Sequence, residues 1–165
     1  MRGEGNLNKG VKIMSTVEEN KVIMQRYFDE LFNNQDYSKG DEIIHEDFTY
    51  SWGGCLKGVE GHKKHTADLH SSVSNLQARI LDMAVEEDKA VVLSEMTAIH
   101  DKEYIGIPAT NKNYSYKYGN VFEFKDGKIV RLTTEVVKDH LGVFQDLGVL
   151  PSTEEIIRNY NDSLK

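Results

Sequence analysis

The sequence predicts an α+β fold in which helices come first and an antiparallel sheet follows. Two observations predict it. Apolar residues recur at helical spacing up to about Ser74, and alternation of period two takes over from Ala78 to Val137. Helices followed by a run of strands indicate helices packed on one face of a curved sheet. The open end of such a cone is a natural ligand pocket.

Three helices and one short strand are predicted in the first half of the chain. The first helix begins at Thr16, because Thr16 and Glu19 form a capping box. The third helix follows Gly58, and the short strand ends at Trp52. The predicted ranges are 16–32, 37–44 and 58–74 for the helices and 48–52 for the strand.

Four strands and two short terminal helices are predicted after these. The dipeptide Asp126-Gly127 is a strong signal for a two-residue hairpin between the last two strands. The predicted ranges are 78–85, 90–100, 114–124 and 128–137 for the strands and 139–147 and 151–161 for the helices.

The composition fits one domain and argues against several classes of partner. The chain has 165 residues, 39% of them hydrophobic, and a net charge of −7, which disfavours nucleic acid and anionic membrane surfaces. No apolar run reaches the ~20 residues of a membrane span. The single cysteine, Cys55, permits no internal disulfide, and residues 1–14 hold no signal-peptide core. We expect a cytoplasmic protein with a disordered tail over 1–15 and a single domain over 16–165.

One face of the third long strand should line the interior. Asn120 is the exception on that face, because it is a primary amide among aromatic rings, and a buried amide needs hydrogen-bond partners. Two roles are open: a structural hydrogen bond to a neighbouring element, or a cavity wall that orients a ligand carbonyl. The residues on that face are Tyr114, Tyr116, Tyr118, Asn120, Phe122 and Phe124.

Glu135, near the end of the last strand, is the candidate acid/base group. Burial in a pocket would raise the pKa of its carboxyl group and suit it to proton transfer. The alternative is a solvated glutamate at a strand end, since most glutamates are exposed.

The histidines favour a pocket role over a metal site. His62 and His65 lie three residues apart on the third helix, which can suit a metal, but no third ligand follows in a compelling pattern. We expect no metal, with His62 or His65 facing the cavity. His100 either faces the pocket mouth or begins the next loop. Trp52 is either core or the roof of the cavity.

The segment after His100 has a shaped backbone. Pro108 fixes its own φ and disfavours helical geometry at Ile107, while Gly106 allows a turn. We expect this loop to cover the open end of the cone as a lid, with Ile107 facing the ligand and His100 near the rim.

Four segments, in order, resemble those of one family over about Val17 to Pro151. They are Phe32-Asn33-Asn34-Gln35 before His45-Glu46-Asp47-Phe48; Gly58-Val59-Glu60-Gly61; His100 through Gly106-Ile107-Pro108-Ala109-Thr110; and Phe122 to Val130 followed by Leu141-Gly142 and Gln145-Asp146-Leu147-Gly148. Together they resemble the SnoaL-like polyketide cyclases, or ester cyclases, of the NTF2-like superfamily.

The resemblance implies an NTF2-like (cystatin-type) cone, a homodimer, and no metal or organic cofactor. In cyclases of the family, an acidic residue on the last strand is the general acid/base of an intramolecular aldol ring closure. Counting without gaps from the Asp126-Gly127 turn puts that position at Thr134, and Glu135 reaches it through a one-residue shift or bulge. Ser51 and Asn120 stand where relatives often carry His and Asp.

The predicted function is therefore cofactor-free acid/base (enolate) chemistry on a small hydrophobic carbonyl compound, such as a cyclisation, isomerisation or dehydration. Glu135 and Asn120 are the predicted catalytic residues. The predicted ligand-binding residues are Tyr27, Trp52, His65, His100, Ile107, Tyr116 and Tyr118. The alternative is a non-catalytic module that binds a small ligand or mediates dimerisation.

Overall fold

The sheet has five strands. The computed structural model describes residues 16–50, 57–103 and 106–164, except the side chains of 135–138 and 140. The strands are β1 (Ile44–Tyr50), β2 (Ser74–Val85), β3 (Lys89–His100), β4 (Lys112–Lys125) and β5 (Lys128–Lys138). Their order is β1-β5-β4-β3-β2, with β2 to β5 an antiparallel meander and β1 parallel to β5. The predicted α+β class and the meander are confirmed.

The helices differ in length from the prediction. They are α1 (Val17–Arg26), α2 (Gly40–Ile43), α3 (Gly58–Ser72), α4 (His140–Asp146) and α5 (Thr153–Ser163). The capping box is confirmed, since Glu19 N–H donates to Thr16 Oγ1 at 3.1 Å and Thr16 N–H donates to the Glu19 carboxylate at 2.8 Å. The helix predicted over 37–44 is a single turn, because Ile44 already has the extended backbone of β1. In the described part of the chain, no helix has the length and apolar character needed to cross a membrane.

A π-helical segment, Tyr27–Asn33, continues α1 without a break. Asn34 N–H donates to the carbonyl of Asp29, five residues back, at 3.1 Å. Asn33 then fixes the helix end to β2: its amide nitrogen donates to the carbonyl of Ala78, and its amide oxygen accepts from Ala78 N–H, both at 2.8 Å. This clamp holds the helix against the inner face of the sheet. The buried side chains of the segment are Tyr27, Phe28, Leu31 and Phe32.

The inner face of β4 follows the predicted alternation. Its residues from Tyr114 to Phe124 are buried at every second position, except that Tyr116 is half-buried. The turn at Asp126-Gly127 has positive φ at both residues, 52° and 74°, as a type I′ hairpin requires. The predicted hairpin is therefore confirmed. On β3, which pairs with β4 throughout, the buried residues are Ala90, Val92, Ser94, Met96, Ala98 and His100.

Candidate functional site

A hydrogen-bonded cluster of polar side chains lies where α1, α3 and β1 meet inside the cone. His62 on α3 is fully buried, and its two ring nitrogens are 2.9 Å from the Tyr27 hydroxyl and 2.8 Å from the Tyr37 hydroxyl. Tyr37 also hydrogen-bonds the hydroxyl of Thr66, which donates to the carbonyl of His62 at 2.8 Å. Tyr50 stacks on the His62 ring, with centroids 5.9 Å apart.

The directions of these hydrogen bonds follow from donor capacity. A backbone carbonyl only accepts, so the single Thr66 proton is used there, and Tyr37 must donate to Thr66. Tyr37 then has no proton for His62, so the imidazole carries its proton on Nδ1 and donates it to Tyr37. Nε2 accepts from Tyr27, whose hydroxyl is also hydrogen-bonded to Tyr50.

Burial keeps the whole cluster neutral. Desolvation, with a smaller contribution from the charge of His65, lowers the pKa of His62 from 6.5 to about 3. Desolvation also raises the pKa values of Tyr27 and Tyr50 well above the usual value for tyrosine. Both His62 nitrogens are occupied by tyrosine hydroxyls, so His62 is not open to a metal. Within the described ranges, no three His, Cys, Asp or Glu side chains converge on one point.

The inner face of β4 adjoins this cluster. The ring of Phe122 lies 5.2 Å from that of Tyr27, and the Tyr118 hydroxyl is close enough to Tyr27 to act on its ionisation. Asn120 lies between Tyr118 and Phe122 on the same face and is 6% exposed. The predicted amide among aromatic rings is thus in the interior, next to the tyrosine and histidine cluster.

A bulge in β5 lies opposite Asn120. Val121 pairs with Thr133 and Gly119 pairs with Val137. The paired positions are therefore two residues apart on β4 but four residues apart on β5. The extra residues fall in the segment 134–136. This segment contains both the ungapped family position, Thr134, and the shifted position, Glu135. Bulges re-aim side chains and are common next to active sites.

The structure brings together some of the predicted ligand-binding residues and separates others. Tyr27 and Tyr118 are both buried, and Tyr118 is close enough to act on the ionisation of Tyr27. Tyr116 is half-buried and donates to the Met96 sulfur at 2.9 Å. Of the two neighbouring histidines on α3, His62 is the interior one; His65 is exposed beside Tyr50, because the buried face of α3 runs through residues 62 and 66. Trp52 lies outside the described residues, as do Cys55 and the predicted tail over 1–15.

His100, which we expected near the rim of the cone, is fully buried at the end of β3. The N–H of Thr110 donates to His100 Nδ1 at 3.3 Å, and the N–H groups of Thr110 and Asn111 donate to its carbonyl at 3.1 and 2.8 Å. These bonds tie the two ends of the crossing loop together. Ile107 in that loop is half-buried, and Gly106 has a φ of 79°.

Sequence reasoning missed three side chains of the cluster and one next to it. Tyr37, Tyr50 and Thr66 were assigned only to helices or a strand, and Ser94 was not singled out. One signal was present for Ser94: it occupies an interior position of β3 between apolar residues. Tyr37 and Tyr50 carry no local signal, because their partners are distant along the chain, whereas Thr66 lies one helical turn after His62.

Two surface depressions lie apart from the interior. One, of about 340 Å³, is bordered by residues such as Gln25, Asp29 and Arg79; the other, of about 560 Å³, by residues such as Asn75, Asn113 and Asp146. Neither joins the tyrosine and histidine cluster to Asn120. The interior is the candidate site because buried polar side chains converge there.

Comparisons with known proteins agree with this architecture. The TsrD structure from Streptomyces laurentii matches with a TM-score of 0.70 at 24% identity, covering 81% of this chain and 97% of TsrD. A SnoaL-like polyketide cyclase from Agrobacterium tumefaciens str. C58 matches with a TM-score of 0.69 at 15% identity, covering 82% of this chain and 100% of that one. At 15% and 24% sequence identity, these matches show a shared fold and nothing about activity.

The sequence itself is matched by a family model. No functionally curated protein matches it. The model of the SnoaL-like polyketide cyclase covers residues 22–147, from α1 through β5 to the residue after α4. This range includes the whole sheet, the bulge and the interior cluster, and the neighbouring structures have the same NTF2-like fold. The chain therefore belongs to the SnoaL-like polyketide cyclase family.

Proposed function

We propose that this protein catalyses cofactor-free acid/base chemistry on a small hydrophobic carbonyl compound through an enolate. Glu135 takes a proton from the carbon next to the carbonyl. The C–H electron pair becomes the enolate double bond, and the carbonyl π pair moves to oxygen. Asn120 and Tyr118 donate hydrogen bonds to that oxygen. Transfer of the proton from Glu135 to a different atom of the enolate completes an isomerisation. In a cyclisation, the enolate carbon attacks a second carbonyl, its π pair moves to that carbonyl's oxygen, and the oxygen takes the proton from Glu135.

The observation that carries the proposal is the bulge in β5 opposite Asn120. Neighbouring strands lie about 4.8 Å apart, so the backbone of the bulged segment is within side-chain reach of the amide. Aromatic and aliphatic side chains surround this region, which suits a hydrophobic substrate. Family membership supports the same class of chemistry.

Exchange of protons for deuterium tests the proposal. The probes are hydrophobic ketones, led by 2-tetralone, in D₂O, with exchange at the carbon next to the carbonyl followed by NMR. We expect the wild type to exceed the buffer rate and Glu135→Gln to lose about 10²–10⁴-fold of that rate. Glu123→Gln is the matched control, because Glu123 lies on the outer face of β4 opposite Arg131. An unchanged rate in Glu135→Gln removes Glu135 from the mechanism.

The second candidate function is a binding module without catalysis. The tyrosine and histidine cluster favours it, since a hydrogen-bonded cluster of this kind can serve as a rigid wall. Saturable binding of 2-naphthol, the aromatic analogue of the 2-tetralone enol, without ketone exchange in the wild type would select this function.

A further inference from the structure

Ser94 is a polar residue on the inner face of β3, and nothing in the described part of the fold explains its position there. It is fully buried, and its hydroxyl has no hydrogen-bond partner within the part of the chain that the structure describes. Its neighbours on the same face of β3 are apolar, namely Val92 and Met96. A buried hydroxyl without a partner destabilises the folded protein. Its presence in the interior therefore needs a reason other than stability.

The register of the sheet puts Ser94 next to the proposed catalytic groups. Ser94 pairs with Tyr118 and Val92 pairs with Asn120, so Ser94 and Asn120 are diagonal neighbours on one face. Diagonal positions of adjacent strands lie about 7 Å apart. The bulged segment of β5 lies on the far side of Asn120. The Ser94 hydroxyl on β3, the Asn120 amide on β4 and the Glu135 backbone on β5 thus lie at neighbouring positions across three adjacent strands.

Two donors can share one ligand oxygen in this arrangement. Each donor must lie about 2.9 Å from the oxygen, so the two donor atoms are at most about 6 Å apart. The Cβ atoms of diagonal neighbours lie somewhat closer than about 7 Å, and the Asn120 side chain is long enough to bring its amide nitrogen within this limit of the Ser94 hydroxyl. His100, six residues further along β3, also has a buried nitrogen without a partner among the described residues. It is about 20 Å away along an extended strand, too far to bind the same oxygen.

We propose that Ser94 is a second oxygen-binding donor of this site. Its hydroxyl, together with the Asn120 amide, binds the carbonyl oxygen of the ligand and the enolate oxygen that develops there. Ser94 keeps its proton throughout and supplies only a hydrogen bond, while the proton removed from carbon goes to Glu135. The ligand class is a hydrophobic ketone or its enol, and this assignment rests on the proposed function.

The test compares Ser94→Ala with the wild type in three measurements. These are deuterium exchange of 2-tetralone, the dissociation constant of 2-naphthol by calorimetry, and the melting temperature without ligand. We expect the exchange rate to fall about 10²-fold, as when one oxyanion donor is removed. 2-Naphthol should bind about tenfold more weakly, and the melting temperature should stay the same or rise. Ser115→Ala, on the exposed outer face of β4, is the matched control and should change none of the three.

Each outcome decides a separate point. Unchanged exchange and unchanged 2-naphthol binding overturn the role of Ser94 while leaving the proposed function intact. A lower melting temperature shows that the hydroxyl has a structural partner and also overturns the proposal. If the wild type exchanges no ketone but Ser94→Ala still binds 2-naphthol more weakly, the oxygen-binding role stands and the enzymatic function fails. Wild type that neither exchanges ketone nor binds 2-naphthol overturns both.

Discussion

At the residue scale, His62 shows how burial and hydrogen bonding fix one ionisation state. Its ring donates to Tyr37 and accepts from Tyr27, and neither hydroxyl can change direction without breaking another hydrogen bond. A second proton on the ring would sit on Nε2, which now accepts from Tyr27. Tyr27 would then have to accept a hydrogen bond from a charged ring in an apolar environment. The neutral Nδ1–H form is therefore built into the fold.

The pH dependence of stability follows from this residue. The pKa of His62 is lowered from 6.5 to about 3 in the folded protein, so only the unfolded chain binds the proton between these values. The contribution of His62 to the free energy of unfolding is therefore complete above about pH 6.5. As the pH falls from 6.5 toward 3, the free energy of unfolding decreases by ~1.4 kcal/mol per pH unit. Urea unfolding at pH 7, 6, 5 and 4 measures the slope.

Two variants separate His62 from other acid-sensitive groups. His62→Gln should be less stable at pH 7 but should lose less stability between pH 6.5 and 4.5. Ser71→Ala, at an exposed position of the same helix, changes no ionisable group and should keep the wild-type slope. Equal slopes in the wild type and His62→Gln would contradict the proposed protonation state.

At the scale of elements, the crossing loop between β3 and β4 links backbone shape to access. Its ends are tied by hydrogen bonds from Thr110 and Asn111 to His100, while Pro108 and Ala109 are exposed. Ile107, between exposed neighbours, is half-buried. The ends of this loop are therefore fixed, and we propose that Ile107 faces the ligand from it.

We expect Ile107→Ala to act mainly on ligand binding. A half-buried side chain should cost less on truncation than the ~2–5 kcal/mol of a core isoleucine, while 2-naphthol should bind several-fold more weakly. Gly106→Ala should instead act on stability, by about 1 kcal/mol, because φ is 79° although no atom lies within 4 Å of the added methyl. Calorimetry and urea unfolding measure the two effects. If Ile107→Ala instead lowers the free energy of unfolding by ~2–5 kcal/mol and leaves 2-naphthol binding unchanged, Ile107 belongs to the core and does not face the ligand.

At the scale of the whole molecule, the outer face of the sheet carries exposed apolar side chains. Val91 and Leu93 on β3 are 50% and 41% exposed, and Val121 pairs with Val91 on the next strand. We propose that two copies pair through this face. A charge introduced there should separate them, since it would be desolvated in the interface.

Light scattering across a concentration series tests the dimer. Leu93→Asp should shift the protein to the mass of a monomer without changing its circular dichroism. Val22→Asp, on α1 and 58% exposed, is the control and should leave the mass unchanged. A wild type that is monomeric at every concentration would exclude this interface.

The sequence by itself determined the order and type of the elements. Capping at Thr16, the Asp126-Gly127 turn and the alternation along β4 are local signals, and each acts through neighbours within a few residues. The interior position of Asn120 followed from the same alternation. The family resemblance also came from short strings in order along the chain.

The tertiary structure alone decided what surrounds Asn120. Tyr37 and Tyr27 reach His62 across 25 and 35 residues of chain, and no periodicity encodes such a contact. The bulge opposite Asn120 is a property of two strands together, because it is defined by how many residues of β5 face Gly119 to Val121 on β4. Ser94 joins Asn120 only because β3 and β4 pair in that register. Side-chain identity sets what a residue can donate or accept, whereas distant packing and strand register decide which partner it meets.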